Sequence, residues 1–197
     1  MLRTLAFVAA LAGSAIILSA QAIDPDTFKV NYFSGAHTAG NPDGTVRITN
    51  AGTSGGDECA NIAVFDANQE MSECCSCKVT PDGLLTLSVN SDLTGNPLTG
   101  VTLTSGIIKI LSGKTFPGGT CEPPILSLAE LTAAVAPGIH AWGTHIQNLS
   151  TGGYQQSEAD FGDAGLSAAE LKRLYNGCIA ILTVGSGHGI CSCGSGG

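Results

Sequence analysis

The sequence has few charged residues, and basic residues are the scarcest. Lys and Arg number 8 among 197 residues, against 16 Asp and Glu, and no basic run occurs. Because neutralising phosphates requires clustered Lys and Arg, this composition excludes a typical nucleic-acid-binding protein. Charged residues make up 12% of the chain and hydrophobic residues 43%, which excludes an intrinsically disordered protein.

The chain also lacks a hydrophobic run long enough to span a membrane. The longest such run, at 5–19, has 15 residues, whereas a spanning helix needs ~20. It follows Arg3 and precedes Ala20-Gln21-Ala22, which has small residues at the two positions that a signal peptidase reads. We therefore predict a secretory signal peptide at 1–22. No cysteine follows the cut and no hydrophobic tail ends the chain, so we expect a mature chain without a membrane anchor.

Cleavage after residue 22 would leave 175 of the 197 residues, with 7 basic and 16 acidic side chains. A chain of this length buries roughly 70% of its unfolded surface, enough for one hydrophobic core. We expect an N-terminal strand and flexible connector at 23–44, followed by one β-rich domain at 45–197.

Cysteine is the residue that the sequence has in unusual number. An even count in an exported protein predicts a framework of four disulfides. Cys74 and Cys75 are adjacent and a bond between them would be strained, so we expect two different partners. Bonds between the clusters at 74–77 and 191–193 would tie the C-terminal tail to the middle of the chain. The eight residues are Cys59, Cys74, Cys75, Cys77, Cys121, Cys178, Cys191 and Cys193.

A metal or redox site is the alternative interpretation of these clusters. Each contains a Cys-Ser-Cys sequence, and His188 precedes the second. Structural zinc usually has two to four residues between paired ligands, and export favours oxidised thiols. The sequence therefore predicts no metal ligands and no cofactor.

Most of the chain has the alternating pattern of short β-strands separated by Gly, Pro, Asn and Asp. A spacing of roughly ten residues between turn signals predicts an antiparallel sandwich or jelly roll. In Pro81-Asp82-Gly83, we expect Pro to set one turn dihedral and Gly to adopt the left-handed one. The predicted strands lie around 28–34, 45–49, 62–66, 85–89, 101–111 and 139–146.

Two segments have helical spacing. The first, at 126–135, ends at Pro137-Gly138. The second, near 168–183, begins with a capping box in which Ser167 and Glu170 each satisfy a backbone N–H at the helix start. Asn176-Gly177 could end this second helix early.

No nucleophile, base and orienting group can be combined from the spacing of the sequence, so we predict that the protein is not an enzyme and has no catalytic residues. His140 and His145 are separated by an odd number along a predicted strand, which places them on opposite faces. An acidic segment before the second helix lacks the twelve-residue calcium pattern and is interpreted as a solvated loop. Its acidic residues are Glu158, Asp160 and Asp163.

The N-terminal segment is the main functional clue. Residues 23–34 alternate between apolar and polar, and the nearly uncharged connector at 35–44 follows. Such a strand can complete the sheet of a neighbour, where backbone hydrogen bonds give affinity and Phe28, Val30, Tyr32 and Phe33 fill pockets. Because donor and acceptor surfaces differ, the contact would propagate head to tail. The segment could equally be the first strand of its own sandwich.

Four motifs resemble those of a family of exported bacterial Cys-rich β proteins, over nearly the whole mature chain. They are Glu73-Cys74-Cys75-Ser76-Cys77-Lys78, Thr80-Pro81-Asp82-Gly83, Asn96-Pro97-Leu98-Thr99-Gly100 and Ser186-Gly187-His188-Gly189-Ile190-Cys191. The resemblance implies an extracellular fibril assembled by insertion of the N-terminal strand, here at 24–34. The predicted disulfides, C-terminal helix and Gly-Ser tail differ from donor-strand pilins.

We therefore expect a secreted structural subunit whose partners are copies of itself. A glycosylation acceptor at Asn148-Leu149-Ser150 adds a surface glycan as a candidate partner, while nucleic acid is excluded and no membrane contact is expected after signal removal. The alternatives are a monomeric exported adhesin or binding module and, less favoured, a periplasmic metal-binding or redox protein.

Overall fold

Alternating apolar and polar side chains produce two antiparallel sheets that pack face to face. The computed structural model describes residues 25–121 and 127–194, so the predicted signal peptide lies outside the described residues. The predicted fold class, a mainly β antiparallel sandwich with a C-terminal helix, is confirmed. The strands are β1 (Phe28–Ser34), β2 (Thr45–Asn50), β3 (Glu58–Asp66), β4 (Met71–Val79), β5 (Leu84–Ser88), β6 (Ser105–Lys114), β7 (Ile139–Asn148), β8 (Tyr154–Asp160) and β9 (Gly162–Asp163).

The first sheet has the strand order β4-β3-β6-β1-β9, and the second has the order β5-β2-β7-β8. Helices α1 (Leu128–Ala134) and α2 (Ala168–Val184) follow β6 and β9 in the chain. One apolar cluster fills the space between the sheets and includes Ile48, Ile62 and Ile108. A second cluster lies between the first sheet and α2 and includes Phe28 and Leu171. The molecule therefore has three layers.

Three strands were not predicted from the sequence: β4, β8 and the two-residue β9. β4 consists largely of Cys, Ser and Glu rather than alternating branched apolar residues, and β8 is exposed along almost its whole length. The interpretation of the acidic segment as a loop is wrong, because Glu158 and Asp160 lie in β8 and Asp163 lies in β9. These strands are held by their neighbours, β4 by β3, β8 by β7 and β9 by β1, rather than by a strong local pattern.

Both predicted helices are present, but their first turns differ from the prediction. In α1, Ser127 and Glu130 form a complete capping box. In α2, Ser167 Oγ accepts the Glu170 N–H at 3.1 Å, whereas the Glu170 carboxylate accepts from Lys109 Nζ at 2.5 Å instead of returning to the helix start. The predicted capping box of α2 is therefore only half formed, because Lys109 competes for the carboxylate.

Asn176-Gly177 does not end α2, which continues to Val184. A Cβ at Gly177 would lie 2.7 Å from Met71 Cε, so glycine allows the helix to approach β4 closely. In the turn after β4, Asp82 adopts the left-handed conformation with φ 57°, a role that the sequence assigned to Gly83. Among the described residues, no helix combines the length and the apolar character needed to cross a bilayer.

Candidate functional site

The eight cysteines form four disulfides, as predicted: Cys59–Cys121, Cys74–Cys178, Cys75–Cys191 and Cys77–Cys193. Adjacent Cys74 and Cys75 have different partners, and two bonds join the C-terminal tail to β4. The sulfur atoms of Cys75, Cys77 and Cys193 lie within 4.8 Å of one another, but each belongs to a disulfide and offers no thiolate to a metal. Four disulfides indicate a non-reducing environment.

Backbone hydrogen bonds also attach the tail to the outer edge of β4. The N–H of Cys74 donates to Gly189 O at 2.8 Å, and the N–H of Cys191 donates to Cys74 O at 3.2 Å. Residues 189–191 thus add a short parallel segment to the first sheet. The segment covers the part of this edge around Cys74, which would otherwise present unpaired backbone groups to other chains.

Three of the four motifs that carry the family resemblance meet at Asn96. Its backbone N–H donates to Glu73 Oε1 at 3.0 Å, and its Nδ2 donates to Gly187 O at 2.8 Å. Its Oδ1 lies 2.9 Å from His188 Nδ1. Asn96 therefore joins β4 to the tail, and His188 contacts an amide rather than a cysteine.

Glu73 is completely buried beneath this connection. Its Oε2 has no hydrogen-bond partner among the described residues. Loss of solvation raises the pKa of Glu73 to about 7, opposed only by the hydrogen bond from the Asn96 backbone. Burial also raises the pKa of Glu58, whose carboxylate accepts a 3.3 Å hydrogen bond from Ser112 Oγ.

The predicted donor segment forms β1, which lies in the sheet of its own chain. Along one edge, all seven of its residues pair with β6, from Phe28 opposite Leu111 to Ser34 opposite Ser105. Along the other edge, only Lys29 and Val30 pair with β9. β1 is thus fully paired on one side and briefly paired on the other.

The four predicted donor side chains occupy different environments. Phe28 is buried in the cluster beneath α2, and Val30 is partly buried against the same cluster. Phe33 is buried in the core between the sheets. Tyr32 is 46% exposed, and its ring stacks on His145 with centroids 3.9 Å apart. Apolar side chains of β1 are therefore buried on both faces of the sheet.

Polar contacts fix the register of β1. The buried Lys29 Nζ donates to Asp163 Oδ1 at 2.5 Å, and this hydrogen bond is the main reason that the pKa of Asp163 is lowered. Asn31 Oδ1 lies 2.8 Å from His145 Nε2, and burial lowers the pKa of that imidazole. Ser34 Oγ donates to a β7 carbonyl at 2.6 Å. None of these partners is near β1 in sequence, so the sequence pattern could not identify them.

The connector between β1 and β2 turns sharply. Gly35 and Gly40 have φ angles of 70° and 85°, which favour glycine. The Ala36 N–H donates to Thr104 O at 3.1 Å, and Asn41 Nδ2 donates to Gly35 O at 3.0 Å. This connector leads from the first sheet to the second.

Two smaller sequence predictions concern β7. His140 is exposed and His145 is buried, which confirms that they point to opposite faces. Asn148, the predicted glycosylation acceptor, is exposed at the end of β7, next to the hairpin turn in which the Leu149 N–H donates to Gly153 O at 3.0 Å. The acceptor side chain is therefore accessible from solvent.

Fold and geometry together define a disulfide-bonded, three-layer β-sandwich in which the first described strand, β1, lies inside the first sheet. No family model, no curated protein and no solved structure matches this chain. The features of the molecule that bear on function are therefore β1 and the groove between β6 and β9 in which it lies.

Proposed function

We propose that this protein is a structural subunit of a secreted extracellular fibril, in which β1 of each copy inserts into the next copy. The observation that carries the proposal is the position of β1. It is the first strand of the described chain, its apolar side chains are buried on both faces, and only β6 pairs with its full length.

The groove that holds β1, between β6 and β9, fits these side chains. A Cβ on Gly106 would lie 2.8 Å from Phe33 Cε1, so glycine in β6 leaves the space that the Phe33 ring fills. On the other face, Phe28 packs with Leu171 and Leu174 of α2. Each buried aromatic side chain contributes about 2–3 kcal/mol. A β1 strand from another copy would make the same contacts in the same groove, because the groove does not depend on which chain supplies the strand.

The connector is long enough for β1 to leave its own domain. Facing sheets in a sandwich are ~10 Å apart, whereas the ten residues at 35–44 span up to ~35 Å when extended. Donor strand and acceptor groove are different surfaces, so each exchange leaves one free strand and one free groove. Such a heterologous contact propagates as an open filament.

The disulfide framework supports a location outside the reducing cytosol. Together with the signal peptide predicted at 1–22, it supports secretion. One bond joins β3 to Cys121 and the other three join β4 to α2 and the tail. None involves a residue of β1, so β1 can move between copies without breaking a disulfide.

A monomeric exported binding module is the second candidate. The pairing of β1 with β6 in its own chain favours it. In that case β1 is a permanent part of the fold, and the protein exposes its surface rather than its strand to partners.

Electron microscopy of the oxidised mature protein tests the proposal. We expect filaments from the natural chain and none from Lys29→Asp, because the introduced carboxylate would face Asp163 from a largely buried position. Lys78→Asp is the matched control: it makes the same charge change at an exposed 3.6 Å ion pair with Asp57, which is worth about 1 kcal/mol or less. Filaments from both variants would contradict the proposal. The absence of filaments from all three proteins, the natural chain included, would also contradict it.

A further inference from the structure

We propose that the groove at the C-terminal end of β1 binds a carboxylate that carries an apolar chain. The groove has a volume of about 490 Å³ and lies against the face of the first sheet that also carries α2. Its apolar part is a row of three side chains on adjacent strands, Tyr32, Ile107 and Phe65, which pair across β1, β6 and β3. A volume of several hundred Å³ with a mainly apolar lining is typical of small-ligand sites.

Two of these three side chains are exposed to solvent. Tyr32 is 46% exposed and Ile107 is 39% exposed, whereas Phe65 is buried. An apolar ligand chain lying across Tyr32 and Ile107 would cover surface that now faces water, and this burial would be its main source of affinity.

Two cations lie over the Phe65 ring. Lys109 Nζ is 4.6 Å and Arg173 Cζ is 5.3 Å from the ring centre. Lys109 is already paired with Glu170. The carboxylate of Asp66 also lines the groove, but it accepts hydrogen bonds from backbone N–H groups of the turn that follows it. Arg173 Nη2 donates to Gln69 O at 3.0 Å, and no described carboxylate forms an ion pair with Arg173.

This arrangement is unusual for the chain, because 16 acidic residues outnumber 8 basic ones. A guanidinium has five N–H donors and binds a carboxylate through two parallel hydrogen bonds. Arg173 therefore has donors available at the edge of an apolar groove. The ligand class that satisfies both features is an apolar carboxylate, as in a fatty acid or in the C-terminus of an apolar peptide.

Calorimetric titration of the oxidised mature protein tests the inference with two probes. Octanoate represents a fatty acid, and N-acetyl-Val-Leu represents a peptide C-terminus. The neutral counterparts are octanol and the dipeptide amide. We expect at least one acid to bind, and to bind about tenfold more tightly than its neutral counterpart, since a charge-assisted contact is lost. The acid that binds identifies the source.

Arg173→Gln should weaken binding of that acid about tenfold, and Arg173→Lys should restore part of the loss. Lys172→Gln is the matched control, because Lys172 is the exposed neighbour of Arg173 on α2. The inference is overturned if neither acid binds at millimolar concentration, if acid and neutral counterpart bind equally, or if the Arg173→Gln and Lys172→Gln variants behave alike. These readouts do not depend on filament formation, so the fibril proposal can fail while this site remains.

Discussion

At pH 8, replacing Glu73 with glutamine should increase the free energy of unfolding by about 1–3 kcal/mol. Glu73 is fully buried, and one of its carboxylate oxygens has no partner among the described residues. Ionisation in this position is unfavourable, which is why its pKa rises from 4.5 to about 7. Glutamine keeps an oxygen that can accept the N–H of Asn96 and removes the buried charge. Its amide N–H groups lie where the carboxylate oxygen has no partner among the described residues, and their burial offsets part of the gain.

The pH dependence of the effect has a definite direction. Below pH 4.5 the carboxyl is protonated in both the folded and the unfolded chain, so the substitution changes little. As the pH rises from 4.5 to about 7, only the unfolded chain ionises, and the natural protein loses stability relative to the variant. Above pH 7 the difference is complete.

Chemical unfolding of both proteins at pH 4 and pH 8 measures this difference. Comparing the two proteins at each pH removes the contribution of other groups, such as His145, whose lowered pKa makes its contribution fade as the pH falls below 6.5. Glu70→Gln, at an exposed site before β4, serves as the control and should change stability by about 0.5 kcal/mol or less. A Glu73→Gln protein that is no more stable than the natural one at pH 8 would contradict the account of Glu73.

Replacing Phe33 with alanine should reduce the free energy of unfolding by about 3–5 kcal/mol. Phe33 is 2% exposed, and its ring fills the space above Gly106, so its removal leaves a cavity in the main core. The neighbouring Tyr32→Ala should cost only about 1 kcal/mol, because Tyr32 is 46% exposed and loses mainly its ring stacking on His145.

Denaturant unfolding of the two variants provides the comparison. We expect Phe33→Ala to be the less stable variant because Phe33 is buried and Tyr32 is half exposed. This holds whether β1 comes from the same chain or from another copy. If both variants lost the same free energy of unfolding, or if Tyr32→Ala lost more, β1 would not lie in the groove between β6 and β9.

The sequence predicted the parts of the fold that a strong local pattern encodes. Val46 and Ile48 in β2 alternate with polar residues and form a strand as expected, and Ser167 begins α2. β4 and β8 lack this pattern. β4 is stabilised by disulfides to distant cysteines, and β8 by pairing with β7, so neither could be recognised from its own residues.

The candidate site was only partly predictable for the same reason. Alternation indicated that Phe28 and Phe33 lie in a strand, and their odd separation places them on opposite faces, but it could not show that α2 covers one face and the second sheet the other. Lys29 and Asp163 are separated by 134 positions in the chain, and nothing local marks them as partners. The burial of Glu73 also depends on Asn96 and the tail, which reach it only in the folded chain.

Strand exchange between copies is tested most directly by mixing two charge-swapped proteins. Lys29→Asp alone places two carboxylates together, and Asp163→Lys alone places two ammonium groups together, so neither protein should form filaments. In a mixture, the aspartate introduced at position 29 of the first variant can pair with the lysine introduced at position 163 of the second, and the natural Lys29 of the second can pair with the natural Asp163 of the first. Each β1 strand therefore faces an opposite charge only in the groove of the other variant. We predict that electron microscopy will show filaments in the mixture alone, with the two variants alternating. A mixture without filaments, when the natural chain forms them under the same conditions, would contradict exchange of β1 between copies.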